Sequence, residues 1–555
     1  MEFAELILTP KLDGVTLHSP LSQSLEPVDG TLCITGHHLI LSSRREGVQE
    51  LWLLHAAIDA VERKPNMLNN VLQGGLIVLK CKDLRIISLE IGTAQEFLNV
   101  AYSIENLSNL HGCQFLYPFF YRPMYSILED GYTMFQGELE FSKLLASDEW
   151  RFSTVNKDYS VCSTYAPKIL VPKSISDEEI VQSAAWRDGG RFPMLSYRHE
   201  NGAILMRSSQ PMNNQNNKRC RADEAILNVV LGRCKKGFIV DTWGKGKSNT
   251  ETDQHYTQWR KVARPIGNLS SASGILDSFA KFIEACNDLS CTPDKWLSRL
   301  DGSGWLTLVL NSLNAACVVA QCLDQEGSPV LVHGGKGLDT PLLVSSLVQI
   351  ILNPDCRTLR GMQALIHREW IESGFPFATR HKHSCYTPSQ IRAKTSASTF
   401  VLFLDCVYQL HSQFPCSFEF GTNLLTILFE HSFASQYGTF LGDNEREREL
   451  LKLHSRTTSL WSYLNRPDVL KSLLNPIYEP NQSVIWPSVA PISIMVWSEL
   501  YFRWIIDQSG TRTIVNQIQT LVTQEKELRT KVIRLRKQLS DLTKEFQLNN
   551  IAVDS

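Results

Sequence analysis

Residues 332–341 read V-H-G-G-K-G-L-D-T-P and lie between a short apolar run, Val330 to Val332, and a long apolar stretch that starts at Pro341. The spacing predicts a buried strand, a glycine-rich turn and a helix. Backbone N–H groups at such a junction converge on anions, helped by the positive end of the helix dipole. The residue types therefore suit phosphate holding. They do not suit attack on phosphate, because residues 333–340 contain no cysteine, serine or arginine. Gly334, Gly335 and Gly337 permit tight or left-handed backbone. Thr340 is expected to cap the helix and Pro341 to open it. Lys336 is the one cation in the turn. Two readings stay open here: a loop with residual phosphate affinity through Lys336, or an empty loop kept for packing.

A second glycine segment competes for the phosphate role. "GFIVDTWGKGKS", residues 237–248, sets G-K-S after an apolar run, but the first glycine of a G-x-x-x-x-G-K-S loop would fall on Asp241. Residues 249–259 are polar and do not read as an apolar helix, so nucleotide binding is not expected.

Other segments must position the loop. Residues 1–110 alternate like strands in "GTLCITGHHLILSS", "ELWLLH", "LIVLKC" and "LRIISLEI". They close with a helical pattern in which Phe97, Leu98, Ala101, Ile104 and Leu107 share a face. A small antiparallel barrel or sandwich of the pleckstrin-homology kind is expected. "YPFFYRP" from Tyr117 reads as a linker into a larger region. There "RFPMLSY" and "AILMRSS" flank a hairpin turn, Ser176 to Glu179 form a capping box, and apolar helix and strand patterns alternate as in an α/β sheet.

Over the last segment, from Thr511, a heptad runs without a skip. Its d positions are Ile514, Leu521, Leu528, Leu535 and Leu542; its a positions are Ile518, Glu525, Val532, Leu539 and Phe546. This pattern predicts a coiled coil. Glu525 would face its own copy in a parallel homodimer, and Lys531 would face Arg536 of that copy. A different chain with acidic e and g residues and a basic or polar a residue facing Glu525 would relieve both repulsions.

Composition narrows the function classes. The chain has 555 residues, 43% hydrophobic and 20% charged, and a net charge of −2, which argues against a general nucleic-acid binder. The stretch from Trp305 to Leu323 approaches a membrane span, but Asn311, Asn314 and Gln321 interrupt it and a buried core helix is expected. The N-terminus carries no signal-peptide pattern. Fourteen cysteines occur with no C-x-x-C, as expected of reduced thiols and no zinc site.

The loop "VHGGKGLDTP" resembles the active-site loop V-H-C-S-D-G-W-D-R-T of the myotubularin family, with His333, Gly337 and Asp339 matching. Segments such as "GGRFPMLSYRHENGAILMRSSQP", "RTLRGMQALIHREWIESGFPFATR" and "ASQYGTFLGDNEREREL" resemble the family in its order. The resemblance implies an α+β and α/β multidomain chain: a pleckstrin-homology-like GRAM domain over 1–110, a cysteine-phosphatase-like α/β domain over 117–505 and a coiled-coil helix over 511–548. On this resemblance Gly334 stands where the family has its nucleophilic cysteine, and Thr340 where it has its phosphate-binding arginine. Lys336 and Leu338 depart from it too. A C-x5-R phosphatase needs the thiolate to attack and the arginine fork to bind phosphate oxygens. None of the fourteen cysteines has an arginine six positions later, so no displaced motif exists.

The resemblance thus implies a catalytically silent member that needs no cofactor and no metal. Its expected partner is an active myotubularin-related phosphatase, a 3-phosphatase of phosphoinositides, bound through the C-terminal coiled coil. The expected location is cytoplasmic, with weak peripheral contact to endoplasmic reticulum, endosomal or perinuclear membranes. A phosphoinositide-binding scaffold acting through the front domain or the degenerate loop is the alternative.

Overall fold

The computed structural model describes residues 2–18, 27–43, 49–212, 219–232, 234, 236–243, 255–267, 273–288 and 292–504, and, in the C-terminal segment, 521, 524–525 and 528–543. The alternating residues near the N-terminus form one curled antiparallel sheet. Its strands are β1 (Lys11–His18), β2 (Val28–Ile34), β3 (His38–Ser42), β4 (Leu51–Leu54), β5 (Ile58–Leu68), β6 (Val71–Cys81) and β7 (Ile86–Ile91). They pair in the order β4-β3-β2-β1-β7-β6-β5. β1 and β5 carry polar and charged residues at many positions, which is why alternation alone did not single them out.

The helix Ala94–Ser108 covers the inner face of this sheet with Phe97, Val100, Ala101, Ile104 and Leu107. Leu98, expected on that face, is 42% exposed. One position at 100° per residue separates it from Phe97, and Val100 takes its place in the stripe.

"YPFFYRP" does more than link. Tyr117–Phe119 is a single 3-10 turn with Pro118 and Phe119 buried, and the Tyr117 ring meets His38 edge-on at 4.4 Å. Beyond it, β8 (Trp150–Ser153) and β9 (Ile169–Pro172) form a small ribbon. The capping box forms as expected: Glu179 N donates to Ser176 Oγ at 3.2 Å, and Ser176 N donates to Glu179 Oε2 at 2.9 Å.

The main sheet comprises β10 (Met194–Arg198), β11 (Ile204–Ser208), β12 (Gly237–Asp241), β13 (Trp259–Ala263) and β14 (Val330–His333), in the order β10-β11-β14-β12-β13. β14 is central and runs parallel to β11 and β12. Both faces are covered, as a parallel sheet requires. Val330 and Val332 enter one core with the helices, and Leu331 enters the other with Ile239 and Met206.

The helix Trp305–Asp324 is long and apolar enough to cross a membrane, but it packs inside this body, with Trp305, Val309, Leu313, Val319 and Leu323 fully buried. The helix Thr340–Leu352 is buried at all of its residues. It packs against Trp305–Asp324 and Thr399–Gln413, so its apolar surround is core rather than surface. The body core runs on to Trp497, Leu500 and Tyr501. Immediately after it, Arg503 Nη2 and Trp504 Nε1 donate to the Asp83 carbonyl of the curled sheet at 3.0 and 3.1 Å.

Candidate active site and C-terminal heptads

The glycine-rich turn leaves the C-terminal end of the central strand, where open α/β sheets bind ligands. The ends of β11 and β12 flank it: Ser208 pairs with His333 on one side and Asp241 on the other. Three backbone contacts fix the turn. Gly337 N donates to the Gly334 carbonyl at 2.9 Å, Gln210 N to the Gly335 carbonyl at 2.9 Å, and Arg191 Nη2 to the Gly337 carbonyl at 3.2 Å. Gly337 has φ +70°, and a Cβ there would meet the Ser208 carbonyl oxygen at 2.8 Å, so only glycine fits.

The place in front of Gly334 is occupied. Thr242, just past β12, and Thr340 bring their hydroxyls to 2.9 Å, and Thr242 Oγ1 also donates to the His333 carbonyl at 3.1 Å. A Cβ at 334 would lie 2.5 Å from Thr242 Oγ1. The hydroxyl pair and the glycine are therefore complementary in shape. Thr340 is also not the helix cap expected of it. The helix begins at Thr340 itself, Asp339 occupies the N-cap position without a side-chain cap bond, and the Thr340 hydroxyl is spent on Thr242.

Asp339 is buried and accepts from Arg380 Nε at 3.0 Å, from Arg380 Nη2 at 2.7 Å and from Thr399 Oγ1 at 2.9 Å. Both of its oxygens are thus held by one guanidinium and one hydroxyl. His333 is buried with both ring nitrogens unbonded among the described residues. Burial pushes its pKa down to about 4, against a raising pull from Asp241, so the ring is neutral at pH 7. Leu338 is half-buried and Lys336 exposed.

Buried ion pairs support the turn from behind. Arg187 donates to both oxygens of Asp223 and, through Nη1, to the Ser209 carbonyl at 2.9 Å. Burial works against the Arg187 charge, but Asp223 outweighs it and the arginine pKa is raised. Arg191 sits over the Tyr165 ring at 4.4 Å. Among the described residues of the turn only Lys336 is exposed, while Thr340 and Asp339 are buried and engaged within the fold.

The pattern of the myotubularin-like phosphatase domain matches residues 116–449, and that of the MTMR6-9 GRAM domain matches residues 11–108. The chain belongs to the myotubularin family. It is 47% identical to "Myotubularin-related protein 9" of Mus musculus over 98% of this chain and 99% of that protein. Identity is 40% to the protein of that name from Caenorhabditis elegans, over 99% of each chain. It is 30% to "Phosphatidylinositol-3,5-bisphosphate 3-phosphatase MTMR8" of Gallus gallus, over 96% of this chain and 85% of that one. The curled sheet with its helix is the PH-GRAM domain, and the doubly covered sheet belongs to the myotubularin phosphatase domain.

In this myotubularin the expected site residues 333–340 come together at one strand end. Thr242, Arg191 and Arg380 complete the group and were not singled out from the sequence. Thr242 succeeds the strand of the discounted G-K-S segment, and Arg380 ends the run "FATR". Neither position carries a local signal, because each partner is remote in the chain: Thr242 meets Thr340 across 98 residues.

The heptad segment is helical over 528–543. Leu521, Leu528, Leu535, Leu539 and Leu542 are each more than half exposed, and Val532 is 46% exposed. Glu525 pairs with Arg529, four residues on, at 2.5 Å. Ile514 and Ile518, expected in the same stripe, lie outside the described residues.

Proposed function

We propose that this myotubularin is a pseudophosphatase and a regulatory partner of a catalytically active relative. The carrying observation is the Thr242–Thr340 hydroxyl pair in front of Gly334. Where a nucleophile would have to stand there is a glycine with no reacting atom, and the space is filled by two neutral hydroxyls. In-line attack on phosphorus needs a thiolate or equivalent nucleophile, and charge development on the phosphate oxygens needs a fixed cationic clamp. Lys336 is a point charge on an exposed stem and lacks a guanidinium's fork.

The partner reading is supported by the leucines at 521, 528, 535, 539 and 542. A strip of that apolarity standing in solvent is a surface that another helix would cover. The Glu525–Arg529 pair tempers the self-repulsion expected at Glu525. A partner with a basic or polar residue opposite Glu525 remains the better match.

A peripheral membrane contact is the second reading. The β5–β6 hairpin carries Met67, Leu68 and Val71 at its tip, all more than half exposed, around an Asn69–Asn70 turn. Such a tip would give weak attachment to the face of an intracellular membrane, released by high salt or carbonate.

The test uses the purified chain, an active relative and soluble phosphatidylinositol 3-phosphate. The chain alone is expected to give no turnover. Added to the relative, it is expected to bind and change that enzyme's activity or lifetime. Leu528→Pro, which breaks the helix and removes a d-position leucine, is expected to abolish both effects. Turnover by the chain alone that persists whatever stands at 334 would refute the inactive reading. A relative that neither binds the chain nor responds to it would refute the partner reading.

A further inference from the structure

The heptad segment does not stand clear of the body. Lys537 Nζ pairs with Glu479 Oε2 at 3.5 Å. Glu525 and Arg529 line a cavity of about 470 Å³ whose other walls are the end of helix Thr399–Gln413 and residues of the 486–495 segment. Neither contact uses a seam leucine. Arg529 follows Leu528 by one residue and precedes Val532 by three, so it stands about 100° and about 60° round the helix from them. The cavity therefore opens along one edge of the exposed seam.

The body side of this corner is preformed. Gln413 clasps Ser488: its Nε2 donates to the Ser488 carbonyl at 3.1 Å, and its Oε1 accepts from Ser488 N at 2.7 Å. Gln409 holds Met495 in the same way, at 2.8 and 2.9 Å. Between the two clasps the turn Pro491–Ser493 holds up Ile492, which is 94% exposed. Trp486, also on the cavity wall, is 39% exposed. A backbone already fixed costs no ordering when something binds to it, so these side chains form a ready contact.

Resting on the partner reading above, we infer that this corner seats a bulky, uncharged side chain of the partner's helix, so that the partner is held by the heptad seam and by the body together. Among the lining residues only Glu525 and Arg529 are charged, and they neutralise each other. An entering cation would meet Arg529 and an entering anion Glu525, each desolvated at a cost. Phe414, Trp486, Ile492 and Met495 instead offer apolar contact. A large apolar or aromatic anchor filling such a pocket is the kind of group that dominates binding energy at interfaces.

A second copy of this chain is the poorer occupant, because parallel pairing along the seam sets its Glu525 against this one at the cavity mouth. In a different chain the basic or polar residue opposite Glu525 lies in the seam, and the anchor lies on the flank of that helix nearer the body. The corner then acts as a filter. A helix with matching heptads but a charged flank would satisfy the seam and be refused by the body.

The test measures by calorimetry the affinity of the full chain for the full-length active relative. Ile492→Glu and Ile492→Lys are each expected to weaken association at least about tenfold, because either charge must be stripped of water against the anchor. Loss with both signs separates an apolar contact from long-range electrostatics, which would favour one sign. Trp486→Ala is expected to act in the same direction, and Ile492→Met to bind like the unaltered chain. Because Ile492 is almost wholly exposed, the melting temperatures of its variants should match that of the unaltered chain. Leu528→Pro, by contrast, should abolish pairing through the seam. If Leu528→Pro abolishes pairing while both charged variants at 492 bind as tightly as the unaltered chain, the corner is not a seat and the partner reading stands. Opposite effects of glutamate and lysine at 492 would also overturn the seat. A relative that does not bind the unaltered chain would overturn both.

Discussion

Two stretches of this chain treat their side chains in opposite ways. At 333–340 three groups are turned inward and engaged: Asp339 with Arg380 and Thr399, Thr340 with Thr242, and the Gly337 carbonyl with Arg191. In the heptad segment Leu521, Leu528, Leu535, Leu539 and Leu542 are turned outward, each more than half exposed. Burial makes the first stretch sensitive to change from within the chain, since each altered group leaves a partner unsatisfied. Exposure makes the second insensitive from within and dependent on whatever covers it from without. On the proposed reading the difference puts the work of the molecule at its surface rather than at the loop 333–340.

The contrast can be broken at four points, in descending order of effect. Asp339→Ala removes the carboxylate that, among the described residues, pairs with the buried Arg380 fork, and it strands a cation, so a loss of about 3–5 kcal/mol of stability is expected. Chemical denaturation of the two proteins measures it. A change under about 0.5 kcal/mol would show that the loop is not held as described.

The second point is acid. His333 is neutral in the folded chain with a pKa of about 4, whereas an unfolded histidine titrates near 6.5. Below pH 6.5 the unfolded state therefore takes up a proton that the folded ring refuses. Stability falls as pH drops toward 4, by on the order of 2 kcal/mol at pH 5 for this one ring. His333→Asn should flatten that acid limb in melts taken between pH 7 and 4.5. An unchanged limb would place the ring in contact with water.

Third, Gly334→Cys is expected to destabilise by about 1–3 kcal/mol, because its Cβ displaces the Thr242 hydroxyl from two hydrogen bonds. Adding Thr242→Ala should recover part of the loss, and the two effects should be non-additive because the sites touch. Simple additivity would mean that the hydroxyl does not fill the space in front of 334.

Fourth, Leu535→Ala should change the stability of the unpartnered chain by less than about 0.5 kcal/mol, as a surface substitution does. The same change should weaken association with the relative by considerably more. A loss of monomer stability comparable to a core leucine would mean that the heptad face packs on its own body.

Much of this architecture was legible in the residues. Period-two alternation found most of the curled sheet, and the Ser176–Glu179 spacing found a helix start to the residue. Polar interruptions marked Trp305–Asp324 as a core helix although its hydropathy alone could not. What stayed hidden was pairing at a distance. The sequence offers Thr340 as a cap because capping is local chemistry, and the fold sends its hydroxyl to Thr242 instead. Arg380 looks like any basic residue at a helix end until Asp339 arrives beside it. Leu98 and Val100 exchanged roles because one step around a helix is enough to move a residue from core to solvent.

The Thr242–Thr340 pair also bears on history. On the proposed reading it acts as a ratchet: while Thr242 keeps its hydroxyl 2.5 Å from where a side chain at 334 would begin, a lone cysteine there meets a steric penalty before it can gain a reaction. A chain that gained a nucleophile at 334 would also have to move or replace the Thr242 hydroxyl, a change that by itself brings no catalytic benefit. On that reading one substitution removes a nucleophile, and in this fold regaining it takes several, one of them unrewarded.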